Sequence, residues 1–245
     1  MISEYICNLC GTQNQVEAGT NEKVPGPICS KCRSATRFRK CAYLISKHVF
    51  AGKGRLDQDG DSELKGIGLS DAHPIENCMK RFSNYENTYY HKEPMVDIMQ
   101  TPSKPGVYDY LISSDVFEHT PPPVAAPYHN AFAYLRKGGK FILSVPAQPT
   151  GKEHFPNLSD FQILETNEGH TLVNATKTGK LEVFDNLRFH GGPGSTLEMR
   201  IFSPDQVMSL LKDAGFSKVE PATDLPEEFG VSDIRGLSSF WVATK

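Results

Sequence analysis

The sequence predicts a doubly wound α/β sheet, on three observations. Residues 108–114 form an apolar run that ends in a polar cluster, Ser113-Ser114-Asp115 followed by Glu118-His119. A helix-length segment comes next, then Lys137-Gly138-Gly139 and a second apolar run, Phe141 to Val145. Upstream, residues 64–71, 74–82 and 86–91 read as strand, helix and strand, one βαβ unit. Ligands of such sheets sit at the carboxyl ends of the strands, so the polar cluster lies on the functional edge.

Bulk composition fits this class. A chain of 245 residues holds one large domain plus a small appendage. Hydrophobic residues make up 38% and charged residues 22%, so a packed core is expected. A net charge of −3 argues against a protein-wide nucleic-acid or membrane footprint and leaves local basic patches open. No apolar run approaches the roughly 18 residues of a membrane span. Residues 1–5 lack the basic and apolar regions of a signal peptide. A reducing, cytoplasmic setting is therefore expected, with cysteines as thiols or metal ligands.

Four of the six cysteines are patterned. Cys7, Cys10, Cys29 and Cys32 form CxxC…CxxC with 18 residues between the pairs. Each CxxC makes a knuckle that aims two sulfurs at one point, and Gly11 suits the left-handed turn after the first. Two knuckles supply four thiolates for tetrahedral Zn²⁺ in a structural site. Iron would use the same ligands. Gly19 and Pro25-Gly26-Pro27 are expected to shape a ribbon hairpin between the pairs. About 30 residues hold too little core to fold alone, so metal would supply the folding energy. Residues 1–36 are read as this ribbon. Cys41 and Cys78 stand alone and are expected to pack.

Residues 37–63 are read as a linker helix and loop. Lys31, Arg33, Arg37, Arg39 and Lys40 occur together without an acid. Such a run either grips phosphate or forms a solvated or interdomain face. Residues 51–63 are Gly- and Asp-rich and read as loop.

The stretch from Tyr108 to His119 and the stretch from Leu135 to Pro146 together resemble class I S-adenosylmethionine (SAM)-dependent methyltransferases. The family pattern there reads "FDxVxxxxVxEH … LxPGGxxxxxVP". The segment 203–220, SPDQVMSLLKDAGFSKVE, closely resembles the end of the same domain. The resemblance covers about residues 64–245. It implies a Rossmann-like, seven-stranded sheet and SAM as cofactor. The ribbon with its "CRSxxRxR" segment also resembles a leader found before some methyltransferase domains.

The resemblance assigns roles residue by residue. The family's glycine loop corresponds to Gly66-Ile67-Gly68-Leu69-Ser70-Asp71, which keeps two glycines and departs from GxGxG. Gly66 and Gly68 would let SAM's methionine part approach. Ser70 would bond its carboxylate and Asp71 its amino group. A helix-capping turn is the structural alternative for Ser70 and Asp71, and Gly52-Lys53-Gly54 is a second candidate loop. The ribose acid of the family is missing, and His91 stands near its place, with Glu93 two residues later. Asp97 lies twelve residues before Asp109, which matches the family spacing and places Asp97 at the adenine amine, with Ile98 on the ring. Ser114, Asp115 and Val116 would lie beside the nucleoside and sulfonium. No GxGxxG precedes a strand and no P-loop occurs, which disfavours nicotinamide and nucleoside-triphosphate chemistry.

Residues 124–136 are expected to form a helix stopped by Lys137-Gly138-Gly139. His119 and His190 are the candidate catalytic groups, as general base on an acceptor hydroxyl or amine, or as positioning groups. An insertion at residues 147–200 contains an expected hairpin over 170–184, turning at Lys177-Thr178-Gly179-Lys180. It also contains a glycine-rich loop at 191–194, near Glu198 and Arg200. The loop either meets a ligand or turns a structural corner, with Glu198 and Arg200 paired. The insertion would lid a small-molecule or glycan-type acceptor. The alternatives are a nucleic-acid methyltransferase using the basic ribbon and a methyltransferase-like binding protein without catalysis.

Overall fold

Alternate residues of the central strands face opposite layers, and that alternation organises the fold. A computed structural model describes residues 2–17, 27–82, 84–167, 169–190, 196–223, 226–231 and 238–245. The chain starts with β1 (Ile2–Ile6) antiparallel to β2 (Gln13–Glu17). This hairpin encloses the first cysteine knuckle. Gly19 and Pro25-Gly26, expected to shape a hairpin between the cysteine pairs, lie outside the described residues. After α1 (Thr36–His48) come β3 (Gly66–Leu69), α2 (His73–Met79) and β4 (Tyr85–Thr88), the expected βαβ unit. Then follow β5 (Tyr108–Ser114), α3 (Ala126–Tyr134) and β6 (Leu135–Pro146).

The insertion contributes β7 (Lys152–Glu153), β8 (Asp160–Thr166), β9 (Gly169–Ala175), β10 (Leu181–Phe184) and β11 (Arg200–Ile201). The expected hairpin is β9–β10, turned through Gly179 at φ +81°. β8 adds a third antiparallel strand that its polar sequence did not suggest. The chain closes with α4 (Pro204–Asp213), β12 (Lys218–Pro221) and β13 (Ser238–Thr244). Ser203 caps α4 by accepting from the Gln206 amide, with Pro204 at the first helical position.

The main sheet has the order β12-β13-β6-β5-β3-β4. β4, β3, β5 and β6 are parallel, and β13 is antiparallel to both its neighbours. Tyr110, Ile112, Ile142, Phe240 and Val242 face α1 and α2. Leu111, Phe141, Leu143 and Trp241 face α3 and α4. From β3 the chain winds to β4 on one side, then crosses to β5 and β6 on the other. The switch point lies between β3 and β5, where such sheets bind ligands.

Two expectations are corrected. The sheet has six strands among the described residues, not seven. After β4 the chain makes only a bridge between Tyr89 and Met95. Asp97 then turns the backbone by accepting from the Met99 amide, and Pro102 and Pro105, which lack an amide donor, follow. Nor does Gly138-Gly139 stop a helix. α3 ends at Tyr134, and the pair lies inside β6, where the register against β5 shifts. Gly138 is left-handed at φ +80°, and its amide donates to the Lys245 carbonyl at 2.7 Å.

Candidate functional site

Two non-glycine residues stand in left-handed backbone directly after the adjacent strands of the switch point: Ser70 after β3, at φ 55°, and Asp115 after β5, at φ 56°. Each such residue costs about 1–3 kcal/mol, and such residues cluster at ligand sites. Asp115 is fixed by an ion pair with Arg37 of α1, and its Oδ1 lies 3.0 Å from the Ser144 hydroxyl. The same hydroxyl lies 3.1 Å from Ser114 Oγ. Asp71 is buried and accepts from the Tyr85 hydroxyl, while its Oδ1 has no partner. Burial pushes its carboxyl up to about 7, against the Tyr85 hydrogen bond that lowers it. The charges of Asp71, Asp115 and Arg37 all bear on the buried thiol of Cys41, which gathers them at one place under α1.

The remaining cofactor candidates surround this point unevenly. A Cβ on Gly66 would lie 2.0 Å from the Tyr110 ring, and one on Gly68 would lie 2.1 Å from the Tyr85 hydroxyl. Both glycines therefore admit aromatic side chains of this chain. Ile98 is buried, and its carbonyl accepts from Asn130 at 2.8 Å. Asp97 is half-buried at the Met99 turn, and Val116 is half-buried just before a 3-10 turn. His91 lies exposed beyond β4 and joins no cluster here.

That 3-10 turn, Phe117–His119, carries the acceptor-side residues, and the end of the insertion clamps it. The Met199 amide donates to the Glu118 carbonyl at 2.8 Å. Buried Arg200 donates to the carbonyls of Phe117 at 3.2 Å and Thr120 at 2.6 Å. Arg200 also pairs with Glu153 at 2.7 Å, and not with Glu198 as the structural-corner alternative has it. Glu198 instead takes His190 at 2.8 Å and His154 at 3.0 Å, with Arg188 at 3.5 Å.

The turn and the insertion bring the two histidine candidates together. The His119 and His190 rings meet edge to face at 4.8 Å. Oε1 of the fully buried Glu118 lies 3.6 Å from His119 Nε2 and 3.8 Å from His190 Nδ1. Burial first, and the Asp115 charge second, push the Glu118 carboxyl well above its ordinary range. Burial pushes the His119 imidazole down. A cleft of about 200 Å³ opens beside this cluster, lined by Arg37, Asp115, Gln148, Arg188, His190 and Glu198. It lies against the carboxyl ends of β5 and β6, with insertion residues as its far wall. The glycine-rich residues 191–194 lie outside the described residues.

Just before α1 the four cysteines converge. The Sγ atoms of Cys7, Cys10, Cys29 and Cys32 all lie within 4.8 Å of one another, the closest pairs at 3.6 Å. The edge of a zinc–thiolate tetrahedron is about 3.8 Å, so the four sulfurs fit one ion. The knuckles are built alike. Gly11, at φ +75°, donates to the Cys7 carbonyl, and Arg33, at φ 61°, donates to the Cys29 carbonyl. Cys41 and Cys78 pack in the core, as expected.

The basic run turns inward. Arg39 is fully buried and donates to the carbonyls of Pro27, Ser34, Phe229 and Gly230. Lys40 is buried as well, and Arg37 is paired with Asp115. Of the five, only Lys31 and Arg33 are exposed. Arg39 and Lys40 thus serve the interior, while Arg37 lines the cleft described above. Arg37, Glu118 and Glu198 are site residues to which the sequence assigns no cofactor or catalytic role. Their signals were present, in the basic run, in the Glu118-His119 pair and in the segment after the glycine loop.

The fold and the site together define a Rossmann-like α/β domain with an elaborated ligand edge. No family model matches the chain, and no curated protein matches it. Solved structures similar to it include a SAM-dependent methyltransferase from Mesorhizobium loti, at 13% identity and TM-score 0.46, over 74% of this chain and 91% of that one. Another, from Clostridium acetobutylicum, has 10% identity and TM-score 0.48, over 84% and 91%. The sugar N-methyltransferase KedS8 from Streptoalloteichus has 10% identity and TM-score 0.48, over 96% and 99%. At such identities, function has to come from the residues of this chain. No helix among the described residues is long and apolar enough to cross a membrane.

Proposed function

We propose that this chain transfers a methyl group from SAM to a hydroxyl or amine of a small-molecule or glycan-type acceptor. The observation that carries the reading is the pair of left-handed residues, Ser70 and Asp115, at the carboxyl ends of β3 and β5. SAM's methionine part is a zwitterion, and this place offers both complements. Arg37 suits the carboxylate, with Ser70. Asp71, whose Oδ1 is buried without a partner, suits the ammonium. The resemblance of this segment to class I methyltransferases adds Asp97 for the adenine amine, Ile98 for the ring, and Ser114, Asp115 and Val116 beside them. His91 is the candidate for the ribose.

Bound SAM supplies an electrophilic methyl on its sulfonium. The chain has then to align an acceptor and take at most one proton. Glu118, His119 and His190 present basic atoms beside the cleft for that proton. The insertion wall suits a compact acceptor. Two of the five clustered cations, Arg39 and Lys40, are buried, which reduces the cationic surface a nucleic-acid substrate would need. The cysteine cluster is proposed to hold a structural Zn²⁺ through Cys7, Cys10, Cys29 and Cys32.

One observation favours the non-catalytic reading. Gly66 and Gly68 make room for Tyr110 and Tyr85, not for a ligand. Turnover separates the two. Incubation with SAM and a panel of sugars, amino sugars and aromatic alcohols should release demethylated SAM with at least one acceptor. His190→Ala should abolish that release. SAM binding without turnover across the panel supports the binding protein.

A further inference from the structure

We infer that Glu118, His119 and His190 form a second metal site, for a divalent first-row transition ion, separate from the four cysteines. Hydrogen bonding fixes which ring nitrogens are free. His119 Nδ1 lies 2.9 Å from the Leu197 carbonyl oxygen, which only accepts, so Nδ1 carries the proton. Its Nε2 lone pair then faces Glu118 Oε1 at 3.6 Å. His190 Nε2 lies 2.8 Å from a Glu198 carboxylate oxygen, so that nitrogen carries the proton there. Its Nδ1 lone pair faces the same Glu118 oxygen at 3.8 Å.

With Glu118 ionised, three acceptors converge with no donor among them. Neither Glu118 oxygen has a hydrogen-bond partner, and the side chain is fully buried. Leaving such a carboxylate unpaired is costly, and a cation between the three groups removes the cost. The ligand atoms lie within 4.8 Å of one another. Ligands sharing one ion at bonds of about 2.1 Å sit about 3.0–3.5 Å apart, so the two Glu118–histidine separations, 3.6 and 3.8 Å, need shifts of a few tenths of an ångström, and the histidine pair closes by rotation of its side chains. Two imidazoles and one carboxylate suit such a metal and leave coordination positions open.

The surroundings follow the pattern of metal-bound histidines. Each ring donates its far N–H to an outer acceptor, a backbone carbonyl for His119 and a carboxylate for His190. Glu198 is thus a positioning residue, and it also lines the cleft. An ion there would take up the lone pairs that otherwise accept the acceptor's proton, and would place its open coordination positions at the acceptor's hydroxyl instead. That last placement rests on the methyl-transfer reading; metal binding does not.

The test uses the full chain with its cysteine site loaded with zinc, titrated with Mn²⁺. Mn²⁺ disfavours thiolates and leaves that site unchanged. Calorimetry should register one Mn²⁺ per chain. Glu118→Gln should abolish the binding, and Glu198→Gln should weaken it about 10–100-fold. In the wild type, which needs no variant to fold, Mn²⁺ should broaden the His119 and His190 ring proton resonances. No Mn²⁺ uptake, or uptake that leaves those resonances sharp, overturns the site. The titration contains no SAM, so its failure leaves the methyl-transfer reading standing, and its success does not depend on it.

Discussion

Asp71 links the backbone strain of the switch point to pH. Its folded value of about 7 lies above the ordinary 3.8. The folded state therefore holds this proton where the unfolded chain has lost it. The stability this group contributes is fully present below about 4 and is lost as pH rises through 7. Asp71→Asn should remove that slope. Urea midpoints at pH 5 and pH 8 should differ less in the variant, with the variant the more stable at pH 8. An unchanged slope would contradict burial as the cause. If Asp71 receives the SAM ammonium, SAM affinity should also rise with pH through 7. Residue identities at this site were partly legible in the sequence, because Ser70, Asp71 and Asp115 follow apolar runs. Their left-handed backbone was not, since nothing in the residue types demands it. The meeting of Glu118 with His190 was not legible either. It depends on how a long insertion folds back onto β5.

Element by element, α1 is where structure and sequence reading differ most. The sequence suggests a linker with a charged face. The helix instead covers the sheet, and Arg39 ties it to the cysteine knuckles and to residues 226–231. Arg39→Met would leave four carbonyls without their charged donor, a cost of at least about 3 kcal/mol. Thermal melts should show that loss, while the exposed Lys31→Ala should stay within about 0.5 kcal/mol. Equal effects from the two would refute the interior role of Arg39. The basic run was visible in the sequence, but its direction was not, because guanidinium–carbonyl contacts have no sequence period. The Gly138-Gly139 pair misleads for a related reason. Glycine marks left-handed backbone, and a bulged strand supplies that as readily as a helix end.

At the scale of the whole molecule, the cysteine cluster belongs to the main core. Cys7, Leu9 and Cys29 share one buried cluster with α1 and β5. If the cluster holds zinc, chelation should destabilise the entire domain, not just its first residues. Unfolding followed by circular dichroism and by Trp241 fluorescence should then shift together after strong chelation. A shift confined to one probe would make the ribbon an independent unit. The cysteine site was legible because its ligands come in two local pairs. The sheet was legible because its strands are apolar runs punctuated by turns. The cleft depends on contacts among α1, β5 and the insertion, far apart in sequence, and only the folded chain brings them together. The central claim is that the β3–β5 switch point holds SAM, and calorimetric titration of the full chain with SAM tests it most directly. The account predicts one SAM per chain, with Arg37→Ala and Asp97→Ala each weakening it at least about tenfold, about 1.4 kcal/mol. A wild-type chain that takes up no SAM would contradict it.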